Sequence, residues 1–413
     1  MDRIIVVGAS LAGSRAAQHL RRLGHTGEVL LVGAEPHLPY DRPPLSKKML
    51  TEDLPASDVE FHDAASYAEL EIELRLSASV SALDTTKRSI TVGDEDISFD
   101  GLIISTGASP RWIPGTEELP GVHVLRTIDD ALRLRSELVP GAKVVVIGAG
   151  FIGSEAAAAA SARGCSVTVV EAADAPLTRG LGSEMGMVCG SLHAAHGVDL
   201  RLGVGVEEVV PGSGPDGRVE SVRLADGTVL EASVVVIGIG VVPATRWLSG
   251  SGVAVDNGVI CDATLNVLAE DGSVIAGVYA AGDVVRAPNG WIGEEAVRVE
   301  HWTTATEQGM LAAANLLDPT EAKEYSSVPF VWSDQYEHRI QIAGHPHGDD
   351  EVTVLFGSVD SGSFVAGYQR GDRLAGIMAL DSIRPFVKYR RLLSMDPTWT
   401  AALALAEELN APS

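Results

Sequence analysis

The sequence has few cysteines, and their spacing excludes several kinds of redox and metal site. Its 413 residues include only three, Cys165, Cys189 and Cys261. None forms a C-x-x-C or C-x4-C pair, so a structural zinc site, a disulfide framework and a redox dithiol are all disfavoured. The chain also lacks a set of cysteines for an iron–sulfur cluster. No metal site is predicted, because His345 and His347 of "HPHG" lie in a turn without suitably spaced ligands.

The chain is also short of cations and of long apolar runs. Lysine and arginine total 31 against 56 aspartates and glutamates, which gives a formal net charge of −25. Nucleic-acid binding needs a basic footprint, so this charge argues against it, and an acidic protein partner would need a local basic patch. No apolar run approaches the length of a membrane span. The chain begins with the strand-like "RIIVVGAS" and no signal-peptide pattern, so a cytoplasmic protein is expected.

Glycine is abundant, and it forms a dinucleotide-binding pattern in "VVVIGAGFIGSEAAAAASARGCSVTVVEA". In such a unit the glycines permit a tight turn, close approach of the backbone to a pyrophosphate, and packing of helix on strand. The helix N-terminus faces the phosphates, and an acid after the second strand holds the ribose hydroxyls. Gly148, Gly150, Gly153 and Glu171 satisfy this pattern.

A similar unit opens the chain, in "IIVVGASLAGSRAAQHLRRLGHTGEVLLVGAE". It carries Gly8, Gly13 and a following acid, Glu35, but Ser10 replaces the central glycine. A strand over Ile4–Val7 and a helix from about residue 12 to residue 23 are predicted around the turn. Two further stretches fit a cofactor site, "STGAS" (105–109) and "GVYAAGD" (277–283), although an ordinary loop and an ordinary turn are the alternatives.

These patterns predict an α/β fold with two Rossmann-like dinucleotide-binding domains and an α+β C-terminal domain. Aromatic-bearing strands such as "VPFVWSD" and "EVTVLFG" mark the last domain, a sheet ended by one or two helices. The predicted boundaries are 1–112 with 243–321 for the first nucleotide domain, 113–242 for the second, and 322–413 for the C-terminal domain.

The stretches "PYDRPPLSK" (39–47), "VRVEHWTTATEQG" (297–309) and "RIQIAG" resemble one family in particular. The chain is similar over its whole length to the FAD-dependent NADH:ferredoxin reductases of bacterial oxygenase systems, the putidaredoxin reductase type. We call the two glycine turns the first cradle (Gly8 to Gly13) and the second cradle (Gly148 to Gly153). The resemblance implies that the first cradle holds FAD and the second holds NADH. Disulfide reductases of the same superfamily carry a redox cysteine after the first cradle, and this chain has none before Cys165.

The resemblance also implies site residues. The FAD contacts it implies are Gly8, Ser10, Ala12, Gly13, Glu35, Arg42, Lys47, Val80, Thr106, Gly107, Arg126, Gly282, Asp283 and Trp302. The implied contacts to the nicotinamide nucleotide are Gly148, Gly150, Ile152, Gly153, Glu155, Glu171, Arg179 and Gly240. Lys47 and Glu155 fall where the family places a Lys–Glu pair near the reactive N5 of the flavin. A solvated lysine and an acid favoured by the helix dipole are the alternatives.

The implied activity is hydride transfer from NADH to FAD, followed by release of single electrons to a [2Fe–2S] ferredoxin. That ferredoxin would serve a haem-thiolate (P-450-type) monooxygenase or a Rieske dioxygenase. The alternatives are a rubredoxin reductase, an NADH oxidase, and an NADH-sensing protein of the apoptosis-inducing-factor type. The basic residues considered for docking are Lys47, Lys48, Arg298, Arg339, Arg384, Lys388, Arg390 and Arg391.

Overall fold

The computed structural model describes residues 1–214, 216–395 and 397–411. The strands, in chain order, are β1 Arg3–Val7, β2 Glu28–Val32, β3 Ile72–Arg75, β4 Val80–Asp84, β5 Ser89–Val92, β6 Glu95–Ser98, β7 Gly101–Ile104, β8 Ala108–Pro110, β9 Val122–His123, β10 Lys143–Ile147, β11 Ser166–Val170, β12 Asp199–Arg201, β13 Val206–Pro211, β14 Val219–Leu224, β15 Val229–Glu231, β16 Val234–Ile237, β17 Val241–Pro243, β18 Val259–Ile260, β19 Asn266–Leu268, β20 Val274–Ala280, β21 Val285–Asn289, β22 Gly293–Val297, β23 Phe330–Gln335, β24 His338–Gly344, β25 Glu351–Ser358, β26 Ser363–Arg370 and β27 Arg373–Leu380. The helices are α1 Leu11–Arg22, α2 Lys48–Thr51, α3 Ala64–Glu69, α4 Ile128–Glu137, α5 Phe151–Ala162, α6 Thr178–Ala195, α7 Trp302–Leu317, α8 Ile383–Leu393 and α9 Trp399–Asn410. Short 3-10 turns cover Pro43–Ser46, Ala56–Val59, Arg246–Leu248 and Pro319–Glu321.

The chain forms two compact units, each assembled from separate segments. The first unit consists of Met1–Asp41, Ser57–Ser109 and Val242–Phe330, and the second of Arg42–Ala56, Pro110–Val241 and Val331–Ser413. The predicted division into three domains stays a prediction, because the structure divides the chain into only two units.

The first unit is built on a six-stranded sheet with the order β19-β20-β7-β1-β2-β3. Strands β20, β7, β1, β2 and β3 run parallel, and β19 is antiparallel to β20. The central strands are apolar runs buried on both faces, as a parallel sheet covered by helices requires. Helix α1 begins and ends within one residue of its predicted limits, and Gly24 follows its end with a φ of +86°.

The second unit contains a five-stranded parallel sheet with the order β12-β11-β10-β16-β9. Helix α5 begins directly after the second glycine turn, and its alanine-rich length is buried almost throughout. A small antiparallel sheet, β13-β14-β15, shares a core with the parallel sheet. This order places the turn between β10 and α5 at the carboxyl edge of the sheet, where nucleotide sites form.

The C-terminal segment forms an antiparallel sheet of order β23-β24-β27-β26-β25, followed by α8 and α9. The predicted sheet ended by one or two helices is therefore confirmed. Helix α6 packs on this sheet, because Leu181, Met185 and Cys189 share an apolar cluster with Ile340 and Phe364. The burial of α6 explains why the C-terminal sheet belongs to the same unit as the second glycine turn.

Candidate functional site: two glycine cradles

The first cradle is a turn whose glycines are required by contacts within the protein. Gly8 has a φ of +115°, and a Cβ there would lie 2.2 Å from the carbonyl oxygen of Ser105. A Cβ on Gly13 would lie 2.0 Å from the carbonyl oxygen of Gly8. Both distances are far shorter than a van der Waals contact, so no larger residue fits without moving the backbone. The two glycines therefore set the close packing of α1 against β1.

Three elements meet at Ala12 on the first turn of α1. A Cβ on Gly282, which follows β20 with a φ of +82°, would lie 3.0 Å from the Cβ of Ala12. A Cβ on Gly309 of α7 would lie 2.4 Å from the carbonyl oxygen of Ala12. The amide N–H of Gly282 donates to the side-chain oxygen of Gln308, at 2.9 Å. This buried glutamine fixes the turn that presents half-buried Asp283, and the sequence analysis did not identify it.

The stretch after β7 lies against the first glycine turn, as its position at a strand end suggested. The hydroxyl of Ser105 is 3.0 Å from the carbonyl oxygens of both Val7 and Gly8. The hydroxyl of Thr106 donates to the carbonyl oxygen of Ala244, at 2.9 Å. Gly107 follows with a φ of +67°. The structure therefore brings Thr106 and Gly107 to the same edge of the sheet as Gly8.

The remaining predicted FAD residues of the first unit lie on separate elements. Glu35 follows β2 and accepts a hydrogen bond from the hydroxyl of Tyr40, at 2.5 Å. The indole N–H of Trp302, at the start of α7, donates to the carboxylate of Asp41, at 2.7 Å. Val80 begins β4 and packs against the core of this unit. Tyr40 and Asp41 are partners that we did not single out, although both lie inside the quoted stretch "PYDRPPLSK".

The second cradle repeats the same construction on β10 and α5. A Cβ on Gly148, where φ is +98°, would lie 2.5 Å from the carbonyl oxygen of Gly238. A Cβ on Gly153 would lie 2.0 Å from the carbonyl oxygen of Gly148. At Gly150, by contrast, the nearest atom to such a Cβ is the carbonyl oxygen of Gly238, at 4.0 Å. The protein itself leaves this position open, which is what close approach of a pyrophosphate needs.

The acid of the second cradle is tied to the glycine turn. Glu171 follows β11, and its carboxylate accepts hydrogen bonds from the backbone N–H groups of Ala149, at 2.7 Å, and Ala173, at 2.9 Å. These bonds fix the position of the carboxylate beside the turn between β10 and α5. Charge-assisted bonds of this kind are stronger than neutral ones. Glu171 therefore places a fixed negative charge at the end of β11.

Three other residues predicted to contact the nicotinamide nucleotide are exposed. Ile152, on the first turn of α5, has 44% of its surface exposed although it is a large apolar residue. Arg179 is exposed at the start of α6, and Gly240 follows β16 with a φ of +95°. An exposed isoleucine next to open space at Gly150 is suited to cover the apolar part of a bound nucleotide.

The predicted Lys–Glu pair is present as a contact within the second unit. The ammonium of Lys47 lies 2.8 Å from the carboxylate of Glu155, and the side chains are 18% and 3% exposed respectively. Glu155 lies on α5, two residues after Gly153. Arg42 and Arg126 also belong to the second unit, where the guanidinium of Arg42 donates to the carbonyl oxygen of Arg126.

The three cysteines lie in surroundings that suppress thiolate formation. Burial raises the pKa of Cys189 to about 12 and also raises the pKa of Cys261 and of half-buried Cys165. A thiol with a raised pKa is a poor nucleophile at neutral pH. In residues 1–214, 216–395 and 397–411 we also find no group of histidine, cysteine and acidic side chains that could hold a metal ion. Among those residues, no helix is both long and apolar enough to cross a bilayer.

The residues present fit two bound dinucleotides. Each cradle joins a parallel strand to a helix N-terminus through glycines at which a Cβ would collide with the backbone. Each cradle also has an acid after the neighbouring strand. The amide groups at such a helix N-terminus suit a pyrophosphate. The fold and the two cradles thus define a protein with two dinucleotide sites.

Comparison with known proteins identifies the family. Residues 2–309 match the model of the pyridine nucleotide-disulphide oxidoreductases, and residues 330–410 match a second model, "Reductase C-terminal". The chain belongs to the pyridine nucleotide-disulphide oxidoreductase family. This membership confirms the predicted fold class and enzyme class, and FAD and NAD(H) as the cofactors.

Named relatives are similar over nearly the whole chain. Rhodocoxin reductase of Rhodococcus erythropolis is 39% identical over 95% of this chain and 90% of its own length. The ferredoxin–NAD(+) reductase component of the anthranilate 1,2-dioxygenase system of Burkholderia cepacia is 35% identical over 95% of this chain and 94% of its own length. The crystal structure of the covalent putidaredoxin reductase–putidaredoxin complex matches with a TM-score of 0.91 and 28% identity, over 100% of this chain and 99% of the matched chain. The predicted resemblance to ferredoxin reductases is confirmed.

Proposed function

We propose that this protein is an FAD-dependent NADH:ferredoxin reductase whose electrons reach a terminal oxygenase through a [2Fe–2S] ferredoxin. The observation that carries the proposal is the pair of glycine cradles in a chain whose thiols are suppressed by burial. Full-length similarity to reductases named for ferredoxins and dioxygenase systems supports the same partner class. We also propose a cytoplasmic location and the three-domain division given above.

The residues of each cradle bind and orient their nucleotide. The N-terminus of α1, with Gly8, Ser10 and Gly13, would hold the pyrophosphate of FAD, and Glu35 would hold the ribose. The N-terminus of α5 and Glu171 would do the same for NADH. When bound, FAD accepts two electrons as hydride and can return them one at a time. The protein contributes orientation and electrostatics, with Lys47 and Glu155 as the charged pair assigned to the reacting centre.

Absence of a reactive thiol defines the electron path in this proposal. The three cysteines are unpaired and their pKa values are raised by burial, so the residues that would hold FAD include no thiol suited to relay its electrons. Replacement of Cys165, Cys189 and Cys261 together by Ser or Ala should leave NADH-to-ferredoxin turnover largely intact in folded protein. Loss of turnover at normal FAD content would show that a redox cysteine participates.

Helix α8 offers the exposed cations for an acidic ferredoxin. The guanidinium groups of Arg384 and Arg391 are exposed and make no hydrogen bond or ion pair with any described residue, while Lys388 is paired with Glu408 at 3.0 Å. Three other basic residues that we considered for docking are paired with acids: Lys47 with Glu155, Arg298 with Glu300, and Arg339 with Asp334. Pairing offsets their charge, and Lys48 is a single exposed lysine, so we assign the docking surface to α8, which carries two exposed arginines.

Turnover with a panel of [2Fe–2S] proteins tests the proposed function. NADH-dependent cytochrome c reduction should require an added ferredoxin, whereas reduction of ferricyanide should not. Arg384→Glu should raise the KM for ferredoxin and weaken its salt dependence, because steered association depends on charge. Arg22→Glu, at an exposed arginine on α1, is the matched control and should change neither. Rapid oxygen consumption without ferredoxin would favour an NADH oxidase instead.

A further inference from the structure

The carboxylate of Glu155 is buried and receives three hydrogen-bond donors. Its Oε2 accepts from the hydroxyl of Ser46 and lies 2.8 Å from the ammonium of Lys47. Its Oε1 accepts from the hydroxyl of Ser333, at 2.7 Å. An ionised carboxylate only accepts, so the three donors satisfy both oxygens of this buried group. Two of these donors, the serine hydroxyls, were absent from the sequence analysis.

The donor on Oε1 comes from a different part of the chain than the other two. Ser46 and Lys47 are neighbours at the end of a 3-10 turn, whereas Ser333 lies on β23, the first strand of the C-terminal sheet. Ser333 and Ser46 are 0% and 2% exposed. The C-terminal sheet therefore supplies a polar contact to a helix of the second cradle within the same unit.

A glutamine orients the hydroxyl of Ser333. The side-chain N–H of Gln335 donates to the oxygen of Ser333, at 3.2 Å, and both residues lie on the same face of β23 because side chains alternate along a strand. A hydroxyl has one hydrogen, so a serine that accepts from Gln335 directs its own hydrogen to Glu155. The carbonyl oxygen of Gln335 has no partner among the described atoms, so hydrogen bonding holds this amide through its N–H group alone.

This arrangement anchors the carboxylate through more buried partners than the ammonium has, since the ammonium of Lys47 contacts Glu155 and the carbonyl oxygen of Pro43, at 3.4 Å. Ser46, Ser333 and Gln335 are short or fully buried side chains, while Lys47 has a long flexible side chain and retains the greater exposure. We propose that Ser333, oriented by Gln335, is a positioning residue that holds the Glu155 carboxylate with its Oε2 facing Lys47. The meaning of this role for catalysis rests on the proposed function, but the positioning itself does not.

Reactivity of the Lys47 amine measures the positioning directly. An ammonium held by a fixed carboxylate reacts slowly with an amine-selective acylating reagent, and one released from it reacts faster. In the full-length holoenzyme at one fixed, mildly alkaline pH, Lys48 is the internal reference, because it is exposed and adjacent in sequence. Ser333→Ala should raise the Lys47-to-Lys48 labelling ratio, read by peptide mass spectrometry, by roughly 3- to 10-fold.

Two variants serve as controls for the labelling. Ser333→Thr keeps the hydroxyl and should restore the wild-type ratio. Ser382→Ala should leave the ratio unchanged, because Ser382 is another buried serine of the C-terminal segment and bonds Ser363, at 2.8 Å, instead of Glu155. Gln335→Met keeps Ser333 but removes its orienting donor, so it should give a smaller rise, and it replaces Ser333→Ala if that variant does not fold.

The outcomes separate the positioning from the proposed function. A wild-type labelling ratio in folded Ser333→Ala, or in Gln335→Met where Ser333→Ala does not fold, would overturn the positioning role. A raised ratio with a slower reduction of the flavin by NADH would support both ideas. A raised ratio with an unchanged rate of flavin reduction would support the positioning and would remove the Lys47–Glu155 pair from the proposed reaction.

Discussion

The two glycine cradles share one construction and differ in the residues around it. At the first and third glycine positions the contacts are nearly the same in both: a Cβ on Gly13 or on Gly153 would lie 2.0 Å from the carbonyl oxygen of the first glycine of its turn. These glycines are therefore required by the packing of the protein on itself. The central position differs, because Ser10 stands where the second cradle has Gly150, and there the protein leaves open space. At the central position of the second cradle, the packing of the protein therefore does not itself require a glycine.

The acids and the helix serines differ as well. Glu35 accepts from the hydroxyl of Tyr40, whereas Glu171 accepts from two backbone amides. The serine after the third glycine is buried in both helices, but Ser14 bonds Tyr67, at 2.8 Å, and Ser154 bonds His193, at 3.3 Å. A tyrosine partner stays neutral over the ordinary pH range, and a histidine need not. The two cradles therefore share a backbone shape, but the different partners of their acids and serines predict different responses to a charged ligand and to low pH.

The largest effect should come from filling the third glycine position of one cradle at a time. Gly13→Ala should lower FAD retention more than 100-fold, and Gly153→Ala should keep the FAD spectrum but abolish measurable NADH use. The added Cβ displaces a backbone carbonyl at a cost of about 3 kcal/mol. Absorbance of the purified protein and titration with NADH measure the two effects. Loss of both functions in both variants would contradict independent cradles.

Acid should weaken the second cradle more than the first. Burial, with a smaller contribution from His196, lowers the pKa of His193 from 6.5 to about 4. Between these values the unfolded chain binds a proton that the folded chain does not, so stability is full above pH 6.5 and falls as the pH drops toward 4. The loss approaches about 3 kcal/mol. Hydrogen exchange of peptides from α5 and α6 measures it.

Two variants isolate the contribution of His193. His193→Gln should remove the extra loss of protection between the two pKa values in α5 and α6. Tyr67→Phe removes the partner of Ser14 in the first cradle and should cost about 1 kcal/mol at every pH in this range. Burial raises the pKa of Tyr67, so it does not titrate there. The same pH dependence in His193→Gln as in the wild type would contradict the assignment.

The two acids should differ in their effect on nucleotide choice. Glu171→Gln should raise the ratio of kcat/KM for NADPH over that for NADH by about 10-fold or more, because like charges at the 2′-phosphate repel. The amide oxygen of glutamine can still accept a backbone N–H, so the turn should persist. Glu35→Gln, in the first cradle, should leave this ratio unchanged. Comparable efficiency with the two nucleotides in the wild type would refute the role of Glu171.

The smallest effects should come from exchanging the central residues. Gly150→Ser should change the free energy of unfolding by less than about 0.5 kcal/mol, since the nearest protein atom to an added Cβ lies 4.0 Å away. Ser10→Gly should have an equally small effect, because Ser10 is the N-cap of α1 and makes no side-chain capping hydrogen bond. Gly150→Ser should nevertheless raise the KM for NADH, because its side chain occupies the space that a pyrophosphate approaches. Thermal unfolding and initial rates measure the pair. A strongly destabilised Gly150→Ser would show that the open space is needed by the fold.

Much of the site could be predicted because its signals are local. The strand, glycine turn and helix of each cradle follow one another directly in the sequence, and the acid stands at the end of the next strand. The sequence therefore located Gly8, Gly13, Gly148 and Gly153 and the limits of α1. The pairing of Lys47 with Glu155 was expected only from a family resemblance, because no spacing rule joins residues on a 3-10 turn and a distant helix.

The partners that fix these residues could not be predicted. Gln308 holds the turn at Gly282, and Asp41 holds the indole of Trp302. Each contact joins segments far apart in the sequence, and neither polar residue carries a local signal of its partner. A serine on a strand gives no sign of the residue it will face. Only the packed structure shows that Ser333 lies against Glu155.

The sequence by itself determined where the two nucleotide turns form, since steric limits on glycine and the pattern of apolar residues act over short distances. It also determined that the chain lacks a dithiol and carries a large negative charge. The tertiary structure alone decided which polar groups meet. In it, Ser14 bonds a tyrosine and Ser154 bonds a histidine, and two serine hydroxyls donate to a buried glutamate. Such contacts depend on how sheets and helices pack, because a buried polar group must be satisfied by whichever partner the fold brings within reach.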